Sequence, residues 1–458
     1  MSIDRRKGRC RMRIIIIGAV AAGTSAAAKA SRNNKDAKII MYEKDGFVSY
    51  SGCGLPYYIG GIVESVSELA PRDPAFFKNK YNVDIYTQHE VLSIHPNEKS
   101  VKVKNLSTGK VFKDTYDKLI ISTGASPILP PIKGNKSSNV FTLRNIGDMN
   151  KIKAFVNSKN TKSAVIVGSG FVGLEVCENL SKLGIKVTIV ERDGQVFPRF
   201  DKDMASHLQE ELEKHGVRLL TGENAVEITE RQVILESGKV VEGDMVILST
   251  GVRPNVNLAK ESGIEIGITG GIKVDSKMRT NISDIYACGD CTEQFHLVTG
   301  KAVYYPLGTT ANKMGRIAGE IVTGGDLEFR GVLGTGIFRL FDLGVAQTGL
   351  TEKEALEQGY DVIVSHDKKP DKAKYMGGKP IYIKAVADKK SRRLLGVQIV
   401  GEEGVDKRVD VFATAITFGA KVDDLFHLDL AYSPPFSIAK DPVMYTGMIL
   451  DNSMEKEN

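Results

Sequence analysis

A glycine-rich turn between two strand-like stretches constrains the fold of this chain more than any other feature. Residues 164–167 are all apolar and lead into Gly168-Ser169-Gly170-Phe171-Val172-Gly173. A second strand-like stretch, residues 186–190, ends at Glu191. A buried strand, a turn with three spaced glycines, a helix and a second strand ending in an acid form the βαβ unit whose helix N-terminus binds the pyrophosphate of a dinucleotide. We therefore predict a parallel sheet that carries a dinucleotide site.

We assign this turn to a nicotinamide dinucleotide. Glu191 is placed to accept hydrogen bonds from the ribose hydroxyls of NADH, whereas Arg192 suits the 2′-phosphate of NADPH, so the choice between them stays open. Glu175 is interpreted as lining the nicotinamide pocket, the alternative being an acid on the helix surface. The predicted contacts are Gly168, Gly170, Phe171, Val172, Gly173, Glu175, Glu191, Arg192 and Gly251.

A similar but less complete pattern lies near the N-terminus. Residues 14–17 are four isoleucines that lead into Gly18, and an alanine-rich helix follows Gly23. Glu43 ends the next apolar stretch, where an acid would take ribose hydroxyls. Val20 occupies the place of the middle glycine, so the pattern by itself leaves a plain βαβ crossover open.

A third segment completes this N-terminal site. Residues 280–290 contain a short strand followed by Gly289-Asp290, and residues 306–312 have the composition of a helix start. In flavoproteins with two dinucleotides, an acid at this place hydrogen-bonds the ribityl chain of the flavin, and the next helix points its N-terminus at the ring. We therefore predict one FAD held jointly by both segments. The predicted contacts are Gly18, Ala19, Ala22, Gly23, Glu43, Lys44, Thr123, Gly124, Gly289, Asp290, Pro306, Leu307, Gly308, Thr309 and Ala311.

Two Ser-Thr-Gly sequences indicate where the chain passes between domains. They occupy residues 122–124 and 249–251, and each follows an apolar strand. We predict an α/β fold with two Rossmann-like dinucleotide-binding domains, for FAD and NAD(P), and a C-terminal α+β dimerisation domain. The predicted boundaries are 12–125 and 256–326 for a discontinuous FAD domain, 126–255 for the NAD(P) domain and 327–452 for the dimerisation domain.

Cys53 is the candidate redox residue. It lies between Gly52 and Gly54, and no second cysteine stands one helical turn away. Pro56 suits the first turn of a helix, so we expect the sulfur at the positive end of that helix, where the nucleophilic thiolate is favoured. Without a resolving cysteine, its electrons must come from the flavin. The alternative is a small buried apolar cysteine, and that is the interpretation we give to the other two single cysteines, Cys10 and Cys177.

Cys288 and Cys291 form a C-x-x-C pair close to His296. A redox dithiol and a zinc site are both alternatives for this pair. Zinc, however, needs a fourth ligand that no nearby spacing supplies, and the intervening Gly289-Asp290 is already assigned to the flavin. We therefore predict no metal.

The composition bounds the class of protein. The chain has 458 residues, of which 42% are hydrophobic, and its net charge of +6 is spread along the sequence, which gives no indication of a nucleic-acid partner. Five cysteines without framework spacing indicate a reducing compartment, so we predict a cytoplasmic protein. No apolar run approaches the ~18–20 residues of a membrane span. The basic residues 5–13 and the apolar stretch after them resemble a secretory signal, but cleavage there would destroy the glycine turn. We therefore interpret residues 1–11 as a disordered extension or as a result of the choice of start site.

The order of these motifs resembles one family over nearly the whole chain from Met12. An FAD fingerprint, a single cysteine, an intact NAD fingerprint, a Gly-Asp motif and a C-terminal domain are typical of the single-cysteine branch of the pyridine nucleotide-disulfide oxidoreductases. Residues 401–408 (GEEGVDKR) and 428–436 (LDLAYSPPF) resemble its C-terminal signature. The branch includes coenzyme A-disulfide reductases, NADH oxidases, NADH peroxidases and CoA-dependent persulfide reductases.

Within this branch the chain is most similar to the coenzyme A-disulfide reductases. The oxidases and peroxidases typically have Asn-His-Ala-Gly in the first turn, where the histidine serves as the acid-base group, but this chain has Val-Ala-Ala-Gly at residues 20–23. Residues 53–57 match the Cys-x-Leu-Pro-Tyr of the reductases. One departure is Gly52, where those reductases have an amide side chain.

The resemblance implies a homodimer whose active site is shared between subunits. In relatives, a tyrosine from the partner's C-terminal domain protonates the departing CoA thiolate; Tyr432 matches this residue, and Tyr375 is similar to an auxiliary tyrosine. Packing in a dimer interface is the alternative for both aromatic side chains. The implied CoA contacts are Ser49, Gly52, Arg32 and Arg72; for the two arginines, the alternative is a solvated surface side chain.

These observations together predict a flavoprotein in which NAD(P)H reduces FAD, and FAD reduces coenzyme A disulfide through a mixed disulfide of Cys53 and CoA. Two other acceptors remain open. They are oxygen, in an NADH oxidase whose cysteine cycles through a sulfenic acid, and a persulfide or polysulfide, in a CoA-dependent reductase. A redox sensor with negligible turnover is the alternative outside the enzymes.

Overall fold

The protein is built from three five-stranded sheets with helices packed on them. The structure is a computed structural model that describes residues 11–158 and 160–457. Its helices are α1 Ala21–Asn33, α2 Leu55–Ile59, α3 Val66–Leu69, α4 Pro74–Tyr81, α5 Ile146–Ser158, α6 Phe171–Lys182, α7 Lys202–Lys214, α8 Asn257–Glu261, α9 Gly308–Ile321, α10 Glu352–Glu357, α11 Val405–Thr417 and α12 Pro442–Glu457.

The strands are numbered in chain order. They are β1 Arg13–Ile17, β2 Lys38–Tyr42, β3 Val83–Tyr86, β4 His89–His95, β5 Ser100–Asn105, β6 Val111–Thr115, β7 Lys118–Ile121, β8 Ala125–Pro127, β9 Val140–Phe141, β10 Ser163–Val167, β11 Lys186–Glu191, β12 Arg218–Thr221, β13 Ala225–Ile228, β14 Gln232–Leu235, β15 Val240–Glu242, β16 Met245–Leu248, β17 Val252–Pro254, β18 Ile285–Ala287, β19 Gln294–Phe295, β20 Ala302–Val303, β21 Gly336–Leu340, β22 Leu343–Gly349, β23 Val362–Pro370, β24 Pro380–Asp388 and β25 Leu394–Gly401.

The first sheet joins two distant parts of the chain. Its order is β18-β7-β1-β2-β3, and all its strand pairs are parallel. The middle of β1, residues 14–16, is completely buried, as expected for a parallel sheet covered on both faces. Because β18 lies beside β7, residues 285–287 return to the N-terminal unit after the chain has built the second sheet.

The second sheet has the same parallel architecture. Its order is β12-β11-β10-β16-β9, and β10 pairs with both β11 and β16. Between its strands in sequence, β13, β14 and β15 form a small antiparallel sheet. Two doubly wound parallel sheets are therefore present, as the paired βαβ patterns predicted.

The two Ser-Thr-Gly sequences lead into a pair of short strands. Gly124 and Gly251 both have positive φ, +67° and +95°, which turns the chain out of β7 and β16. Strands β8 and β17 then run antiparallel to each other, with Ala125 opposite Pro254. The chain thus leaves and re-enters the first sheet along two adjacent strands. The boundaries of the three predicted domains remain predictions.

The C-terminal sheet is antiparallel, with the order β21-β22-β25-β24-β23. Apolar side chains of α11 and α12 form one buried cluster with this sheet, including Phe412 and Leu450. The fully buried Arg408 of α11 is neutralised by Asp441, with Nη2 2.9 Å from Oδ2. This is the α+β unit expected from residues 327–452.

Some sequence-based interpretations fall on residues outside this description. The extension proposed for residues 1–11 lies almost entirely there, and so does Cys10. Cys177 is completely buried in the apolar core that includes the second sheet, as expected for a small apolar cysteine. In the described part of the chain, no helix is long and apolar enough to cross a lipid bilayer.

Candidate active site

The two glycine turns have the same geometry. Gly18 and Gly168 have φ values of +98° and +101°. A Cβ at Gly18 would lie 2.3 Å from the carbonyl oxygen of Ser122, and one at Gly168 would lie 2.4 Å from that of Ser249. Only glycine fits such a close approach between two backbones. Each turn therefore places the N-terminus of its helix at the carboxyl ends of the parallel strands.

The two turns differ at the middle position. A Cβ at Gly170 would meet no atom within 4 Å, so the backbone there faces open space. Gly170 is the N-cap of α6, and Val20 is the N-cap of α1; neither helix start has a side-chain cap. The first-turn N–H groups of both helices are thus available as donors to an anion.

The two predicted ribose acids are buried behind their turns. Glu43 accepts hydrogen bonds from the N–H groups of Ala19 and Asp45, at 2.7 and 3.0 Å. Glu191 accepts from the N–H of Ser169 at 2.8 Å and from its hydroxyl at 2.6 Å. Burial raises the pKa of Glu43. Both carboxylates therefore hold the backbone of the glycine turns in place through hydrogen bonds.

Close helix packing brings the third predicted segment to the first turn. A Cβ at Gly315 or Gly319 would lie 2.1 or 2.3 Å from the carbonyl oxygens of Ala22 and Ala26, so α9 rests directly on α1. A Cβ at Gly289 would lie 2.7 Å from the Cβ of Ala22 and 3.7 Å from the Cβ of Ala311. The N-termini of α1 and α9 and the Gly289-Asp290 turn consequently converge.

These features fit the cofactors that the motifs predicted. The start of α9 also lacks a side-chain cap, so α1 and α9 have free N–H donors that could bind one FAD, and α6 has donors that could bind NAD(P)H. Asp290 lies at the same point, and burial raises its pKa against the opposing effect of Arg144. Of the remaining predicted contacts, Lys44, Gly308, Thr309, Val172, Arg192 and Gly251 are exposed, whereas Ala311 is buried.

Cys53 lies at a helix start, as predicted. It is the middle residue of the 3-10 turn Gly52–Gly54, which runs directly into α2, with Pro56 in its first turn. The side chain is exposed, and a Cβ at Gly52 would meet nothing within 4 Å. A second molecule can therefore approach the sulfur, and Gly52 leaves free space where the resembling reductases carry an amide.

The charges around the sulfur oppose the thiolate. Partial burial raises the pKa of Cys53, and the carboxylates of Glu175 and Asp290 raise it further, while Arg144 lowers it. The prediction that the helix start favours the thiolate is wrong for the protein by itself. Helix α2 has only five residues, so its dipole is too weak to offset partial burial and two nearby carboxylates.

Two residues near Cys53 were not found by sequence reasoning. Arg144 forms an ion pair with Asp290, Nη2 to Oδ2 3.3 Å, and donates to the carbonyl of Ala125 at 2.8 Å. Tyr57 donates to Glu175 over 3.4 Å, and burial raises the pKa of Glu175 to about 7. The tyrosine stands in the Cys-x-Leu-Pro-Tyr motif, so a signal existed. Arg144 had none, because it is distant in sequence from every motif.

The two arginines expected to bind CoA phosphates contact one aromatic cluster. Arg32 lies 5.7 Å from the ring centre of Tyr81, and Arg72 lies 5.7 Å from that of Phe76. Lys80 lies over both rings, at 5.2 Å from Phe76 and 5.6 Å from Tyr81. The resulting exposed patch is cationic and aromatic, which suits a phosphorylated adenine nucleotide. Sequence reasoning missed Lys80 because only the packing of α4 against α1 brings its ammonium close to Arg32.

The predicted tyrosines lie on two connected loops of the C-terminal unit. Tyr432 is 54% exposed and Tyr375 is 77% exposed, and the N–H of Ala373 donates to the carbonyl of Pro434 over 3.4 Å, joining the loops. Ser49 has a positive φ of +50° and donates its N–H to Ala19. Ser49 therefore lies beside the first glycine turn, whereas both tyrosines face outward.

The C-x-x-C pair lies inside the apolar core that surrounds the first sheet. Cys288 and Cys291 are completely buried, and burial raises the pKa of both thiols. Within the described chain, the metal-ligand atoms that come within 4.8 Å of one another belong to Glu211, His215 and Asp342. The ammonium of Lys214 lies 3.3 and 2.8 Å from the two carboxylates of this cluster, so it is a charged contact between α7 and the C-terminal sheet.

The chain belongs to the pyridine nucleotide-disulphide oxidoreductase family, whose members use FAD and NAD(P)H. Residues 12–315 match the family described as "Pyridine nucleotide-disulphide oxidoreductase", and residues 337–442 match its dimerisation domain. The family resemblance and the α/β fold class predicted from the sequence are thereby confirmed.

Three relatives illustrate the range of the family. A protein of Pyrococcus furiosus named "NAD(P)H sulfur oxidoreductase (CoA-dependent)" is 37% identical over 444 residues, covering 96% of this chain and 99% of that protein. A "Coenzyme A disulfide reductase" of Staphylococcus aureus is 34% identical over 436 residues, covering 95% and 99%. The crystal structure of reduced Bacillus anthracis CoADR-RHD has a TM-score of 0.96 and 39% identity, covering 98% of this chain and 81% of that one.

Proposed function

We propose that this protein is a homodimeric flavoenzyme that uses NAD(P)H to reduce the disulfide of coenzyme A through Cys53. The observation that carries the proposal is the exposed, unpaired Cys53, which lies beside the open space at Gly52. Glu175 of α6 and Asp290 of the proposed FAD segment both raise the pKa of its thiol. The name of the Staphylococcus aureus relative supports the choice of acceptor.

The division of labour follows the predicted domains, 12–125 with 256–326 for FAD, 126–255 for NAD(P)H and 327–452 for dimerisation. The thiolate of Cys53 attacks one sulfur of the CoA disulfide, which forms a Cys–S–S–CoA bond and releases the other CoA as a thiolate. Tyr432 of the partner subunit gives that thiolate its proton, with Tyr375 as the auxiliary group. FAD, when bound, supplies the two electrons that break the mixed disulfide.

The substrate's nucleotide end has a matching surface. We assign the phosphates of CoA to Arg32 and Arg72, with Lys80 as an additional cation, because all three lie over the rings of Phe76 and Tyr81. Ser49 and Gly52 line the approach to the sulfur. The Arg192 side chain is exposed beside the buried Glu191, so NADH and NADPH are both candidate donors.

Complementation between two inactive variants tests the shared active site. A heterodimer of Cys53→Ser and Tyr432→Phe subunits contains one site with both native residues if the site spans the interface, and none if it lies within one chain. Random pairing then restores about a quarter of the wild-type rate of CoA disulfide reduction. Rates no higher than the mean of the two separate variants would contradict the proposal.

A second acceptor has support of its own, because the Pyrococcus furiosus relative is named as a CoA-dependent sulfur oxidoreductase. Mass spectrometry after incubation with CoA disulfide tests the mixed disulfide that both acceptors require and that the oxidase alternative lacks. We expect a reducible adduct of CoA mass on Cys53. Rapid oxidation of NADH by oxygen alone, with no response to CoA disulfide, would instead support the oxidase alternative.

A further inference from the structure

Arg199 lies between two aromatic rings that belong to different parts of the fold. Its guanidinium carbon is 5.6 Å from the ring centre of Phe171 and 5.1 Å from that of Tyr305. Phe171 is the first residue of α6, in the NAD(P) turn, whereas Tyr305 directly precedes Pro306 in the FAD segment. Across the described ranges, Arg199 belongs to no ion pair. The two rings are therefore the contacts that its guanidinium makes with the rest of the fold.

The backbone around Arg199 is held from two sides. On one side, the N–H of Phe197 donates to the hydroxyl of Ser169 over 3.0 Å, which links this loop to the NAD(P) turn. On the other side, Asp201 accepts a hydrogen bond from Gln398 at 2.6 Å, which links it to the C-terminal sheet. Arg199 is thus placed by the fold and is not free to drift with a mobile loop.

The Phe171 ring is also confined. Its centre lies 5.0 Å from that of Phe197 and 5.2 Å from that of Phe338. A Cβ at Gly336 would lie 3.0 Å from the ring, so a larger residue there would press against it. The guanidinium of Arg199 and these neighbours together fix the ring at the start of α6.

We propose that Arg199 is a positioning residue for hydride transfer from NAD(P)H. By holding Phe171 and Tyr305 to one cation, it sets how the NAD(P) turn lies relative to the FAD segment. Reacting atoms must come within about 3–3.5 Å, and a misplacement of about 1 Å costs roughly 100-fold in rate. This inference rests on the family's use of FAD and NAD(P)H and does not depend on the proposed acceptor.

The test is the reduction of the flavin by NADH in the FAD-loaded dimer, in the absence of oxygen and of any disulfide. Stopped-flow absorbance monitors the reaction. In Arg199→Met, we expect the limiting rate at saturating NADH to fall about 10-fold or more. Arg199→Lys recovers part of this loss, because an ammonium still faces the rings. The matched control is Lys368→Met, which removes a cation 5.2 Å from the ring centre of Tyr382 in the C-terminal sheet and leaves the rate unchanged.

A binding measurement separates positioning from affinity. In calorimetric titrations of the oxidised enzyme with NAD⁺, we expect the dissociation constant of Arg199→Met to differ less than about 3-fold from that of the wild type. An unchanged limiting rate, or a loss confined to the dissociation constant, would overturn the proposal.

If Arg199→Met loses its FAD, Arg199→Lys and Tyr305→Leu serve instead. If both residues act through the same contact, the double variant has a limiting rate of flavin reduction no lower than that of the slower single variant. Additive losses in the double variant would refute the shared role. Because no CoA disulfide is present in these experiments, they test Arg199 even if CoA disulfide is not the acceptor.

Discussion

At the scale of single residues, the reactivity of Cys53 depends on groups from distant segments. Glu175 stands on α6, Asp290 follows β18, and Arg144 precedes α5, yet all three act on this one sulfur. Partial burial is the largest effect that raises the pKa of Cys53, and two carboxylates against one guanidinium add a local excess of negative charge. The neutral thiol is therefore the favoured form, and the nucleophilic thiolate gains population as the pH rises.

Glu175→Gln tests this electrostatic account. Because the pKa of Glu175 is about 7, its carboxylate is charged over the pH range in which a thiol with a raised pKa titrates. Removing that charge lowers the pKa of Cys53, so alkylation of the adduct-free enzyme by iodoacetamide accelerates at lower pH than in the wild type. The measurement is the pH profile of the alkylation rate.

The exposed substitution Glu210→Gln on α7 is the control, and it leaves that profile unchanged. An alkylation profile of Glu175→Gln that coincides with the wild type, or moves to higher pH, would contradict the assignment. The same substitution replaces the charged acceptor of the Tyr57 hydrogen bond with a neutral amide oxygen, so a shift also seen in Tyr57→Phe would point to that bond instead of the charge.

At the scale of elements, the contact between α1 and α9 decides whether the FAD segments meet. These helices touch through small residues, since a Cβ at Gly319 would lie 2.3 Å from the carbonyl oxygen of Ala26. Their N-termini supply free N–H groups to the same place. A methyl group between them would separate both halves of the proposed flavin site.

We therefore expect Gly319→Ala to destabilise the protein by about 1–3 kcal/mol through overpacking and to weaken FAD retention. Thermal unfolding and the release of flavin fluorescence on heating measure the two effects. Gly194→Ala is the matched control, because its Cβ meets no atom within 4 Å, and we expect a change within about 0.5 kcal/mol. Equal effects of the two substitutions would contradict the packing argument.

At the scale of the whole molecule, buried charge ties the NAD(P) region to the C-terminal sheet. Lys384 of β24 is 3% exposed and lies 3.2 Å from Asp201, 3.0 Å from Asp203 and 2.8 Å from Glu352. A buried charge requires such partners. Because Asp201 and Asp203 belong to the start of α7, this cluster orients the second sheet against the third.

Lys384→Met removes the buried ammonium that three carboxylates share, and we expect a loss of about 3–5 kcal/mol in the free energy of unfolding. Denaturation by guanidinium measures it. The control Lys113→Met removes the exposed pair with Glu98, 2.5 Å apart, and costs about 0–1 kcal/mol. A Lys384→Met protein as stable as the control would show that the cluster contributes little.

Assembly is the last prediction at this scale. Phe436 is 73% exposed in the single chain and lies four residues after Tyr432, which we assign to a site shared with the partner subunit. A charge at Phe436 is therefore expected to harm the dimer and spare the fold. We expect Phe436→Glu to sediment as a monomer that is still reduced by NADH but has lost disulfide reduction about 100-fold or more. Ile268→Glu, at a 91% exposed position, remains dimeric. A dimeric Phe436→Glu would contradict the proposed interface.

Much of the architecture could be read from local pattern. The apolar run before Gly168 and the glycine spacing after it predicted β10 and α6, and Pro56 predicted the start of α2. These succeed because strand burial and helix starts depend on neighbours in sequence. The same reasoning failed for the charge state of Cys53, since the helix is short and the opposing carboxylates come from elsewhere in the chain.

The sequence alone determined two glycine turns that only glycine can form, the family and the unpaired cysteine. Only the tertiary structure decided what surrounds them: the placement of Arg144, Glu175 and Asp290 around Cys53, the shared aromatic patch of Arg32 and Arg72, and Arg199 between Phe171 and Tyr305. The physical reason is range. Backbone conformation is set within a few residues, whereas electrostatic and ring contacts depend on distances in space that the chain closes only when its three sheets pack together.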